Sequence, residues 1–162
     1  MTGTFNETYF EFNQEVQLLG ERIAELEAEA DELDDGDDRR QEINAKMQML
    51  KSQRKGAIWA RDQAREDDDF PAWDGDVDGV TLGALRAGPY AGLVDDVESD
   101  PDAGSGTTAS LLVAEATVEA PYLDDDMSSK KRAAAVASLH PYYRDWAEGR
   151  INDLLDPEAG NG

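Results

Sequence analysis

Residues 74–85, DGDVDGVTLGAL, set Asp74, Asp76 and Asp78 at alternate positions, with Gly79 directly after the third. Carboxylates at the first, third and fifth places of a loop, and glycine at the sixth for the sharp turn, are what a hard, oxygen-seeking cation such as calcium requires. The pattern then breaks. Its last place must supply a bidentate carboxylate and holds Leu85, and the place expected to be aliphatic holds Thr81. With 37 acidic residues in 162, alternating aspartates arise by chance. No metal site is expected, and Asp74, Asp76 and Asp78 remain weak candidates.

Asp124, Asp125 and Asp126 form the other conspicuous run. Acid–base work by paired carboxylates needs one acid kept protonated beside an ionised one, hence unequal environments. Three exposed neighbours offer no such asymmetry, so this run is expected to be a solvated turn, with Asp126 or Ser128 capping the next helix. The single histidine, His140, stands directly before Pro141 at a helix start and there is no cysteine. It is expected to cap or to lie on the surface. No nucleophile elbow, glycine-rich phosphate loop or zinc-binding histidine pair occurs. The chain is expected to be non-enzymatic and to use no cofactor.

Lysine and arginine total 15 against 37 acids, a formal charge of -22. A protein that tracks a phosphate backbone needs the opposite balance, so nucleic acid is not an expected partner. Aspartate outnumbers glutamate and arginine outnumbers lysine. Such a surface repels itself in dilute buffer and is relieved by molar salt, which points to a halophilic source. A disordered acidic chain would lack the 40% hydrophobic content and the periodicity described next. No secretory leader and no membrane-spanning run is visible, so an intracellular, soluble protein is expected.

The elements that must position any site begin with Phe12, Val16, Leu19, Ile23, Leu26, Ala30 and Leu33, spaced alternately four and three. That is a heptad seam. After DDGDD, where Gly36 is expected to take a positive φ and end the helix, a second stretch carries Ile43, Met47, Leu50, Ala57 and Ala64, its seam interrupted by Arg54 and Arg61. The first helix is rich in glutamate and the second in arginine and lysine. The pattern predicts an antiparallel coiled-coil hairpin over residues 1–66.

Residues 67–79 read as an acidic linker, and residues 80–157 as a small helical domain. It comprises a short apolar stretch, a helix from Tyr90, an exposed loop at 99–108, a helix from Ala109 to Ala120 and two further helices from Ser128 and Pro141. Residues 158–162 are expected to be a flexible tail. The expected class is mainly α. In the last helix Tyr143, Trp146, Ile151 and Leu154 form an apolar stripe suited to core burial. Aromatics flanked by arginine are also interface anchors, which makes Trp59, Tyr142, Tyr143, Trp146 and Ile151 candidate partner-binding residues.

Three segments, VTLGALRAGPYAGL (80–93), LLVAEATVEAPYLDDD (111–126) and LHPYYRDWAEGRINDLLD (139–156), resemble the tail assembly chaperones of tailed viruses in apolar spacing and turn placement. The resemblance covers about half the chain and carries no catalytic signature. The N-terminal hairpin is a departure from the family's pattern. The resemblance implies a holdase for the tape-measure protein or another tail protein, acting in the cytoplasm of a haloarchaeal host. Two other classes stay open: a connector or baseplate component of the virus particle, and a coiled-coil adaptor that forms homo-oligomers.

Overall fold

A computed structural model describes residues 3–70, 73 and 78–156. The elements run β1 (Thr4–Glu11), α1 (Phe12–Asp31), α2 (Asp38–Asp62), β2 (Gly79–Leu85), α3 (Ala87–Ser99), α4 (Ser105–Ala116), β3 (Thr117–Glu119), α5 (Ser129–Ala137) and α6 (Pro141–Leu154). The class is mainly α, as the periodicity predicts. A small antiparallel sheet in the order β1-β2-β3 is added to it.

The sheet is what helical periodicity missed. TFNETYFE is rich in aromatic and β-branched residues, which suit a pleated surface, and it pairs with β2 from Thr4 against Leu85 to Glu11 against Gly79. A bulge between Phe5 and Thr8 breaks the alternation, and Asn6 there takes a φ of 52°. Gly79 permits the pairing because a Cβ at that position would overlap the carbonyl of Phe10. The backbone N–H of Phe12 donates to the carbonyl of Asp78 at 2.9 Å, so the strand ladder hands over directly to α1.

α1 and α2 run antiparallel. Glu29 meets Arg39 at one end of the pair, and Asn13 meets Arg61 at the other. Arg54, which interrupts the second seam, reaches across to donate to the carbonyl of Val16 at 3.1 Å. The seam residues divide between two clusters. Phe12, Val16, Leu19 and Leu50 are buried in the main core, with Ile23 and Leu26 packed at its edge. Ala30, Ile43 and Met47, with Leu33, form a separate small cluster near the turn. Asp37 caps α2 by accepting from Arg39 N, while Gly36 takes no left-handed φ, contrary to its expected role. α1 has already ended at Asp31, with Glu32 in right-handed helical conformation closing it.

Three boundaries in the second half also differ from those read in the sequence. α3 begins at Ala87 and carries Pro89 within its first turn, where a missing N–H leaves no bond unmade. α4 starts at Ser105, inside the stretch expected to be a loop, with the Thr107 hydroxyl accepting from Gly104 N. The helix expected to reach Ala120 stops at Ala116. Thr117 and Glu119 leave it to pair with Leu82 and Thr81, and Pro121 follows. Asp124, Asp125 and Asp126 are exposed, and Ser128 caps α5 by accepting from Lys131 N.

The main core draws on both halves of the chain. α6 packs along α2 and against β2, and Phe12, Trp59, Val80, Leu82, Val113, Tyr122, Tyr143 and Trp146 share one cluster. Trp73 is buried there too, against Phe12, Trp59, Tyr122 and Tyr143. Each large ring buried this way removes about 150–250 Å² from water. That is worth roughly 4–6 kcal/mol at ~25 cal/mol per Å² before ordering costs.

Candidate partner-binding surface

α6 is pre-set by Pro141 in its first turn and capped by His140, whose Nδ1 accepts from Tyr142 N at 3.2 Å. The helix turns Tyr143, Trp146, Ala147, Arg150, Ile151 and Leu154 inward. Of the five candidate partner-binding residues, Trp59, Tyr143, Trp146 and Ile151 are therefore interior, and only Tyr142 is open to solvent, at 37%. The spacing that suggested anchors is the spacing of a core stripe, and a rigid partner does not reach those four without unfolding α6.

Most buried polar atoms in this region are matched to one another, while Trp73 Nε1 and Arg144 Nε are buried without a hydrogen-bond partner among the described residues. The hydroxyls of Tyr122 and Tyr143 lie 2.8 Å apart, and burial pushes both phenols above their ordinary pKa, Tyr143 well above. Trp146 Nε1 donates to Glu15 at 2.9 Å, and Arg150 Nε donates to the same carboxylate oxygen. Trp59 Nε1 donates to Asp67 at 3.0 Å. The Glu15–Arg150 pair was missed in the sequence. Its signal is Glu15 itself, one place before Val16 on the face that buries Phe12 and Leu19, where a carboxylate needs a partner.

What faces outward is a set of apolar side chains spread over several elements. Tyr9 and Val118 are exposed on the sheet, Leu18 on α1, Met49 on α2, Tyr90 on α3 and Leu155 after α6. Two open grooves border the helix pair. One, of about 840 Å³, lies between β1, α1 and the end of α6, with Phe10, Leu18 and Leu154 in its lining beside Glu15, Arg22 and Arg150. The other, of about 410 Å³, runs between α1 and α2 and is lined by Gly20, Ile23, Lys51, Arg54, Lys55 and Ile58 among others.

Asp74 and Asp76 lie outside the described residues. Asp78 is exposed, and its charge, with those of Glu11 and Glu119, adds to partial burial in raising the phenol of Tyr9. Among the described residues no group of three histidine, cysteine or acidic side chains is placed to hold a metal ion. Among them also, no helix is long and apolar enough to cross a membrane.

No protein-family model, curated protein or solved structure matches this chain.

Proposed function

We propose that this chain is a non-enzymatic assembly chaperone that binds and solubilises the tape-measure protein of a tailed virus in the cytoplasm of a halophilic host. One observation carries the reading. The three segments that resemble tail assembly chaperones, separate in sequence, pack in one core: Val80 and Leu82 of β2, Val113 and Ala116 of α4 with Tyr122 beyond it, and Tyr143, Trp146 and Ile151 of α6. Their shared spacing thus coincides with a shared core.

The helix pair supplies the surface for holding a helix. In this reading α1 and α2 pair as a short antiparallel coiled coil, rooted in the core through Phe12, Val16 and Leu19 and closed at the far end by Ala30, Ile43 and Met47. Two of the exposed apolar side chains, Leu18 and Met49, belong to it. A long amphipathic helix is captured by such a face through apolar contacts at helical spacing. The -22 charge is accommodated in molar salt, which screens its self-repulsion.

The separate cluster at the tip of the helix pair favours a second reading. A connector or baseplate component would use that arm to assemble within the particle, and an adaptor would use it to form oligomers. Quantifying the protein in infected cells and in purified particles separates these readings. A chaperone is abundant in the cell and absent from the particle, whereas fixed stoichiometry in mature particles assigns it to the structure.

A further inference from the structure

The groove between α1 and α2 is anomalous in its charge. In a chain with 37 acidic residues and 15 basic ones, Lys51, Arg54 and Lys55 line it together, and no acidic residue lines it among the described residues. None of the three makes an ion pair with a described carboxylate. Arg54 is held in place by its bond to the Val16 carbonyl and lies against Gly20. Lys55 Nζ sits 5.3 Å over the ring of Tyr142, which extends the patch onto α6. Ile23 and Ile58 supply apolar lining between the two helices.

We infer that this groove docks an acidic amphipathic helix of another protein, with its apolar residues on Ile23 and Ile58 and its carboxylates toward Lys51, Arg54 and Lys55. Two antiparallel helices present a trough into which the side-chain ridge of a third helix fits. Cations left without carboxylates in so acidic a chain complement an external anion, and such complementarity selects the partner. A phosphate backbone fits less well, because the net charge of -22 opposes it and the lining carries isoleucines in place of a stacking platform. A second copy approaching groove to groove would set Lys51 and Lys55 against their own counterparts. The inference stands apart from the viral assignment, since it concerns the chemistry of the occupant alone.

The test uses the full chain at the lowest potassium chloride concentration that keeps it folded, because molar salt screens surface charge pairs, and a fluorescein-labelled amphipathic peptide with leucine at heptad seam positions and glutamate on the flanks. Anisotropy should show saturable binding of this peptide and none of the same peptide with lysine for glutamate. Reversing both lysines, Lys51→Glu with Lys55→Glu, should weaken binding roughly tenfold or more, as loss and inversion of interfacial charge pairs does. Lys51→Arg with Lys55→Arg should retain it, and the melting point should be unchanged in both variants. Equal binding of the two peptides, or no effect of the reversal, overturns the inference. So does tighter binding of a labelled oligothymidylate, or self-association of the wild-type chain that the reversal abolishes.

Discussion

Glu15 and Arg150, 135 positions apart in the chain, meet inside the core, where the indole N–H of Trp146 donates to the same carboxylate oxygen as Arg150. The pair ties the first turns of α1 to α6 with little solvent on either side chain. Arg150 also reaches Asp153 at 2.9 Å, so its charge is shared toward the surface.

Removing Arg150 strands the buried Glu15 carboxylate, whereas Arg150 keeps Asp153 when Glu15 is removed. Arg150→Met should lower unfolding stability by about 3–5 kcal/mol, the usual penalty for an uncompensated buried charge. Replacing both residues by apolar ones of similar volume, Glu15→Leu with Arg150→Met, should recover most of that loss. Urea unfolding in molar salt reads both. A single variant within roughly 0.5 kcal/mol of wild type would place the pair in solvent and remove this tie from the fold.

Where α2 meets α6, Gly56 faces the backbone of Tyr142 so closely that a Cβ would overlap its carbonyl oxygen. Gly56→Ala should therefore destabilise by about 1–3 kcal/mol through forced separation of the helices. Gly36 in the α1–α2 turn has open space around it, and Gly36→Ala should be neutral or stabilise by up to about 1 kcal/mol. Thermal melts of the two variants compare the sites directly.

The helices were legible because their signal repeats. Phe12 to Leu33 covers three heptads, and the α6 stripe of Tyr143, Trp146, Ile151 and Leu154 fixes its buried face. The strands were not. β1 is interrupted by the Asn6 bulge, and β3 is only three residues long and continuous with a helical pattern, so Thr117 reads as helix until Leu82 lies opposite it. Spacing on α6 predicts burial and anchoring equally well. Only packing against α2 and β2 places Tyr143 and Trp146 inside and leaves Tyr142 outside. In sequence the lysines of the α1–α2 groove read as opposite charges to the glutamates of α1 across the seam, and their lack of a described carboxylate partner is a property of the folded surface.

The Tyr122–Tyr143 pair sets an alkaline limit. Burial raises both phenols above their ordinary value of 10.0, so in the native state they keep protons that the unfolded chain releases near that pH. Their contribution is fully present below pH 10 and is lost as pH rises beyond it, at up to about 1.4 kcal/mol per pH unit for each group. Tyrosinate absorbance should show a class of residues that ionise together with loss of helical circular dichroism. Tyr143→Phe should remove part of that coupling.

The formal charge of -22 makes stability depend on salt. Raising potassium chloride from millimolar to molar shortens the screening length from tens of ångströms to about 3 Å and relieves self-repulsion. The melting point and helical ellipticity should both rise across that range. A melting point that stays level or falls would contradict the halophilic reading.

The central claim is that the chain keeps a long helical tail protein in solution, and co-expression in a high-salt host measures it most directly. Under the proposed function, a tape-measure protein encoded beside this chain and found insoluble when produced alone should move to the soluble fraction when the chain is present and co-purify with it. If the tape-measure protein stays in the pellet at equal expression of both proteins, the account is contradicted.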